Sequence, residues 1–335
     1  MPTDSDSRPG LHVVWSQDEL HKRTRLQRFV SAWWRRLVAL ALAMGTITAL
    51  LVAAGIAVTE GALHPDRRPP APEDAGEAER VATEAGATLT DVPFIAHDGA
   101  VLAAWSFSKP GAARGTVVVL HGIGDRRRSQ LPLAALLLSD GYRVLVPDAR
   151  AHGASGGAML TAGITEAADL GGWVEWARQQ HPDECIFAIG TSFGGATLLQ
   201  SLAETSYCAA IVEAPFASAY SMAFYWLGGR VPLIVRWVLM GPVVEAGFAY
   251  AYWRYGLPLR SMDAVASFRH SRVPLLVIDD ALDDAVPRRD AQRLRDANPG
   301  RAQVWTVVDA HHAQAFGTSP DEYRRRVLGF LNSHQ

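Results

Sequence analysis

A serine flanked by glycines stands at Gly190-Thr191-Ser192-Phe193-Gly194-Gly195, directly after the apolar run Cys185–Ile189. The pattern G-x-S-x-G, entered from a buried strand and left into a helix, is that of a nucleophile elbow. The turn holds the serine in a strained backbone conformation with its hydroxyl clear of the sheet, and the glycines leave room where a Cβ would clash. A serine becomes a nucleophile only with a base, a group that orients the base, and donors for the developing oxyanion. The chain offers each of them. His311 and His312 follow the apolar run Gln303–Val308, and Asp279, Asp280, Asp283 and Asp284 crowd the end of Leu275–Ile278. Along the chain these groups occur in the order serine, acid, histidine. Oxyanion donors are expected from the backbone N–H groups of Phe193, next to the nucleophile, and Ile123, within His121-Gly122-Ile123-Gly124. Each such preorganised donor contributes about 3 kcal/mol in the transition state. The chemistry of such a set is acyl transfer through an acyl-serine.

Other reactive groups read differently. His121 is expected to brace the glycine loop, and Asp148, Arg150 and His152 to form a structural clasp after the fourth strand. Arg126-Arg127-Arg128 reads as a solvated loop, with an anionic headgroup or a substrate carboxylate as the sharper alternative. Asp279 and Asp280 read as solvated loop acids, with imidazole tuning or cation binding as the alternatives. No cysteine–histidine spacing suggests a metal site, and neither metal nor cofactor is expected. The two cysteines, Cys185 and Cys208, each open a predicted strand, and those strands should be neighbours. In an oxidising compartment that invites a disulfide at the sheet end opposite the serine.

The elements that must position these groups are legible as short apolar runs. They lie at Leu89–Ile95, Val101–Phe107, Thr116–Leu120, Arg143–Pro147, Cys185–Ile189, Ala209–Val212, Leu275–Ile278 and Gln303–Val308. Helix-length segments at Leu131–Ser139, Glu166–Gln180, Phe193–Glu204, Pro287–Ala297 and Pro320–Leu331 separate or follow the later ones. Two opening strands and then β-α alternation imply a mostly parallel sheet covered by helices on both faces, an α/β fold. An aromatic insertion at about 218–270 reads as a helical cap, and its run Val231–Val244 is too short for a second membrane span. Ahead of the sheet, Leu37–Thr59 carries no charge in 23 residues, enough to cross a hydrocarbon core of roughly 30 Å. Lys22, Arg23, Arg25, Arg28, Arg35 and Arg36 precede it and Glu60 follows. The positive-inside rule then predicts a cytoplasmic basic leader 1–36, a transmembrane anchor 37–59, and an extracytoplasmic remainder. Residues 60–87, acidic and proline-rich, read as a linker to the domain 88–335. A formal net charge of −2 gives no electrostatic case for a nucleic-acid partner.

Residues 88–333 resemble the α/β-hydrolase superfamily. The resemblance rests on His97-Asp98-Gly99 with Trp105, His121-Gly122-Ile123-Gly124, Asp148-Ala149-Arg150-Ala151-His152-Gly153, the elbow, and Val273-Pro274-Leu275-Leu276-Val277-Ile278. Within the superfamily the chain looks most like membrane-anchored Bem46-like serine hydrolases and related bacterial lipases, thioesterases and S9/S33-type peptidases. The resemblance implies an eight-stranded sheet. Family spacing to the final helix places the base at His312, not His311, and alignment of Val286-Pro287 places the acid at Asp283, with Asp284 as runner-up. Acidic residues at 279 and 280 depart from the family's usual strand end. The implied activity is cleavage of an ester or thioester in a hydrophobic acyl or lipid substrate at the membrane. A peptidase, or a binding module that keeps the fold without catalysis, is the alternative.

Overall fold

A computed structural model describes residues 16–228, 232 and 236–335, without the side chains of 19, 20, 236 and 237. By its contacts the chain divides into two units, residues 1–51 and 52–335. In the first, from Gln17 on, the described chain is helical: α1 (Gln17–Leu63) runs through it and on into the second. Apolar side chains from Leu26 to Leu50 stand exposed along α1. Among the described residues this is the one helix long and apolar enough to cross a membrane.

The second unit opens with a departure from the expected linker. Residues Pro72–Ala85 form helix α2, leaving only 64–71 irregular between it and α1. Its start is set by Pro72 at the first helical position and by Asp74, whose carboxylate accepts the Ala71 N–H at 2.9 Å. Gly86 closes it at φ 64°, a left-handed cap that glycine adopts without a Cβ clash. The buried stripe is Asp74, Ala78 and Ala82. Two alanines in a charge-rich segment give almost no apolar periodicity to read, yet they let α2 lie close on the sheet's neighbours.

Eight strands follow: β1 (Thr88–Ile95), β2 (Val101–Ser108), β3 (Thr116–Leu120), β4 (Arg143–Pro147), β5 (Ile186–Thr191), β6 (Ala209–Glu213), β7 (Leu275–Asp280) and β8 (Ala302–Val307). They form one sheet in the order β1-β2-β4-β3-β5-β6-β7-β8. Only β2 runs against its neighbours; from β4 to β8 all pairs are parallel. Around them lie α3 (Leu131–Ser139), α4 (Ile164–Gln180), α5 (Phe193–Ser201), α6 (Ala219–Gly228), α7 (Gly241–Tyr255), α8 (Ala264–Arg269), α9 (Arg289–Ala297), α10 (Ala315–Thr318) and α11 (Pro320–Asn332). Alternation along the strands makes two core layers. On β3, Val118 joins Leu145, Ala188 and Val212 beneath α4, α5, α8 and α9. Val117 and Val119 face the other way with Phe187, Ile189 and Ile211, beneath α2, α3 and α11.

The parallel register carries the strand C-termini to one edge of the sheet. Leu120 pairs with Gly190, Thr191 with Glu213, Glu213 with Ile278, and Asp280 with Val307. At the opposite edge Cys185 and Cys208 are joined by a disulfide, with 5.7 Å between their Cα atoms.

The insertion between β6 and β7 is helical where described, comprising α6, α7 and α8. A backbone bridge between Ser218 and Asp263 closes its base, and Tyr220 stacks on Phe224 and meets Phe248 edge-on. Within Val231–Val244, residues 231 and 233–235 lie outside the described ones, and 241–244 begin α7. The end of α1 packs on α7 at a glycine pair. A Cβ on Gly55 would lie 2.5 Å from the Val243 carbonyl oxygen, and one on Gly247 2.3 Å from Thr59 Oγ1. Beyond that crossing, the Glu60 carboxylate accepts from the hydroxyls of Tyr250 and Tyr255, each at 2.6 Å.

Candidate active site

Ser192 stands where β5 turns into α5, with φ 54° and ψ −115°, a conformation that a non-glycine residue keeps only when its surroundings enforce it. They do so by close approach. A Cβ at Gly190 would sit 2.5 Å from the Gly194 carbonyl oxygen, and one at Gly194 would sit 2.6 Å from that of His121. The Ser192 N–H donates to the Glu213 carbonyl at 2.8 Å, fastening the elbow to β6.

His312 lies in the turn after β8. Its Nε2 accepts from the Ser192 hydroxyl at 2.8 Å, and its Nδ1–H donates to Asp283 Oδ2 at 2.7 Å. Asp283 is buried, and its other oxygen accepts the N–H groups of Ala285 and Val286 at 2.8 and 3.1 Å. Those two amides fix the carboxylate, which in turn selects the Nδ1-protonated tautomer and leaves Nε2 free to take a proton. Burial works to lower the pKa of His312. The Asp283 hydrogen bond, with the charges of Asp283, Asp280 and Glu213, outweighs it and holds the imidazole above its ordinary value. His311 and Asp284, the neighbours that compete in the sequence, are both exposed.

The loop after β3 comes alongside. A Cβ on Gly122 would be 3.6 Å from the Ser192 Cβ, so the Ile123 backbone stands near the elbow and Phe193 opens α5. Two histidines hold this loop. Gly124 N–H donates to His152 Nε2 at 2.9 Å, and Ala149 N–H donates to His121 Nε2 at 3.0 Å. Burial pushes the pKa of His152 down, which keeps that acceptor nitrogen unprotonated.

A sequence model for the alpha/beta hydrolase fold matches residues 115–214, from β3 through the elbow to the end of β6. An esterase of Pyrococcus furiosus superposes with a TM-score of 0.62 at 24% identity, over 81% of this chain and 97% of that one. This chain is an α/β-hydrolase-fold protein. Also similar in structure is an acylaminoacyl peptidase of Pyrococcus horikoshii, with a TM-score of 0.54 at 18% identity over 73% of this chain and 41% of the peptidase. In sequence the chain resembles the uncharacterized protein YqkD of Bacillus subtilis, 26% identical over 224 residues, 65% of this chain and 71% of YqkD. It also resembles YfhR of Salmonella typhi, 22% identical over 255 residues, 74% and 82% of the two chains.

Of the arginine triplet, Arg127 is buried, Arg126 half-buried and Arg128 exposed, and each is paired within the fold. Arg126 pairs with Asp74 at 2.7 Å and Arg128 with Glu77 at 2.7 Å, so both fasten α2. Arg127 pairs with Asp91 and lies 4.3 Å over the Trp105 ring. The acids at the β7 end also depart from a solvated loop. Asp279 accepts from Thr306 Oγ1 at 3.2 Å. Asp280 is 1% exposed and accepts the Ala313 N–H at 2.8 Å. Among the described residues no group of three or more His, Cys, Asp or Glu side chains is arranged to hold a metal ion.

Two residues near the site escape a sequence reading. Glu213 ends β6, is buried, and accepts the Ala315 N–H at 2.9 Å; Tyr323 of α11 hydrogen-bonds to it. The signal for Glu213 is slight: one acid closing the run Ala-Ala-Ile-Val-Glu-Ala-Pro-Phe, with no basic residue near enough in the chain to offset it.

Proposed function

We propose that this protein is a membrane-anchored serine hydrolase that cleaves carboxylic ester or thioester bonds of hydrophobic acyl substrates. The observation that carries the reading is the hydrogen-bonded chain from Asp283 through His312 to a serine held at an elbow. Ser192 Oγ attacks the acyl carbon while His312 Nε2 takes its proton. The imidazolium that forms is stabilised by Asp283, and the carbonyl oxygen gathers negative charge against the N–H groups of Ile123 and Phe193. Each donor lowers that barrier by about 3 kcal/mol. Collapse expels the alcohol or thiol with the proton from His312, leaving acyl-Ser192; a water activated by the same imidazole then releases the acid. Neither step calls for a metal or cofactor.

The apolar cap, with Phe224 and Phe248 each against Tyr220, supports a greasy acyl group. The length and exposure of α1 support an anchor, and the basic residues before Leu37 support a catalytic unit outside the cytoplasmic membrane. Labelling by a fluorophosphonate probe, abolished in Ser192→Ala, tests the reading; folded wild-type protein that takes no label would instead be a non-catalytic binding module. A series of p-nitrophenyl esters graded by chain length, run beside acyl thioesters and peptide amides, tests the substrate class. Preference for the amides would make it a peptidase.

A further inference from the structure

Two buried carboxyls that the nucleophile, base and orienting acid do not use stand beneath the loop carrying His312. Asp280 Oδ2 accepts the Ala313 N–H and Glu213 Oε1 accepts the Ala315 N–H, one and three residues beyond the imidazole. Ala313 itself sits at φ 59°, a left-handed conformation that an alanine adopts at a cost and that needs a neighbour to hold it. Glu213 also holds the other partner, because its carbonyl takes the Ser192 N–H. One residue thus reaches the nucleophile through its main chain and the base through its side chain. Asp280 Oδ1 is buried with no hydrogen-bond partner among the described residues, so its charge is poorly solvated.

We propose that Glu213 and Asp280 are a positioning pair for the triad: they clamp the His312 loop by its amides, and the poorly solvated carboxylate of Asp280 acts on the imidazole. This rests on the reading of Ser192, Asp283 and His312 given above. The groups that face the pair are His312, Asp283 and Tyr323. Burial pushes Glu213 up to about 8, the Asp280 charge adding to it. Burial likewise pushes Asp280 up to about 6, the Asp283 charge adding there. Near neutrality the pair therefore keeps a proton on Glu213 and a charge on Asp280. That charge favours the imidazolium. When Glu213 ionises as well, a second buried charge meets Asp280 and Asp283, and repulsion enters the clamp.

The test is the titration of the His312 ring in the full chain, labelled with 15N-histidine in detergent micelles and assigned with His312→Gln. In Asp280→Asn the side-chain oxygen still accepts the Ala313 N–H but the charge is gone, and the midpoint of His312 should fall by about one pH unit. In Glu213→Gln the midpoint stays near that of the wild type, because glutamine imitates the protonated acid, while the second inflection near pH 8 disappears. A residue serving stability alone would move the melting temperature and leave the ring titration in place. An unshifted midpoint in Asp280→Asn overturns the proposal. Should that variant fail to fold, persistence of the upper inflection in Glu213→Gln overturns it. Fluorophosphonate labelling of the wild type runs alongside and separates the two readings. Shifted titration without labelling removes the hydrolase reading, whereas labelling with an unshifted titration removes the clamp alone.

Discussion

Replacing Asp283 by asparagine isolates what the orienting acid does. The side chain is isosteric, and its Oδ1 can keep the N–H groups of Ala285 and Val286 that the carboxylate now holds. The group facing His312 then becomes an NH2. It cannot accept the Nδ1–H that Asp283 accepts at 2.7 Å, so the imidazole must carry its proton on Nε2 and loses its power to deprotonate Ser192. Flipping the amide does not rescue it, because two backbone donors would then face the NH2, at about 1–3 kcal/mol for each buried donor left unsatisfied. Loss of the correct tautomer lowers kcat by roughly 10^3- to 10^4-fold, equivalent to about 4–5.5 kcal/mol of barrier. Turnover of a short p-nitrophenyl ester reads the first quantity, and thermal denaturation confirms that the variant is folded. Asp284→Asn is the control: Asp284 is exposed and its variant should retain wild-type turnover. An Asp283→Asn enzyme within tenfold of wild type, or loss of activity in Asp284→Asn instead, would refute the argument.

Three more outcomes are expected. His312→Ala should abolish turnover and fluorophosphonate labelling while His311→Ala leaves both intact; the reverse pattern would transfer the base to His311. Because His312 is held above its ordinary pKa, the acid limb of kcat/KM should have its midpoint above about 6.5; activity is lost as pH falls through that midpoint, and a midpoint well below it would contradict the burial and charge balance. Substituting Cys185 and Cys208 together by serine removes a link across 23 residues, worth about 3 kcal/mol in chain entropy. The melting temperature should drop by several degrees with the ester rate unchanged, and an altered rate at unaltered stability would speak against this.

How much of this was legible follows from how local each constraint is. The elbow reads from sequence because serine and glycines stand within six residues of one another: Gly190 is forced by the backbone of Gly194 and Gly195 in the turn itself, although Gly194 is forced by Leu120 and His121 at the end of β3. The sheet reads because strands covered on both faces leave continuous apolar runs such as Thr116–Leu120. Choosing His312 over His311 and Asp283 over Asp284 took family spacing, since adjacent residues in a loop carry no periodicity to separate them. Helix α2 was invisible because its buried face is two alanines and a carboxylate, Asp74, whose partners, Arg126 and Arg128, lie about fifty residues on. The same distance hid the role of the arginines: a charge run declares its partner only when the fold supplies one. Glu213 needed the sheet order, because its carboxyl meets an amide 102 residues away.

The crossing of Gly55 and Gly247 bears on where the second unit begins. An apolar helix ahead of a catalytic domain is customarily treated as a detachable handle, to be cut at its last apolar residue. Here the final turns of that helix are a wall of the cap, with Thr59 and Leu63 buried and Glu60 capping two tyrosines. A truncation at residue 60 would uncover the glycine face of α7. One at Leu51 would keep Val52–Leu63 with the body that they help to build. The natural seam of this molecule falls inside a continuous helix, at a place that no loop marks.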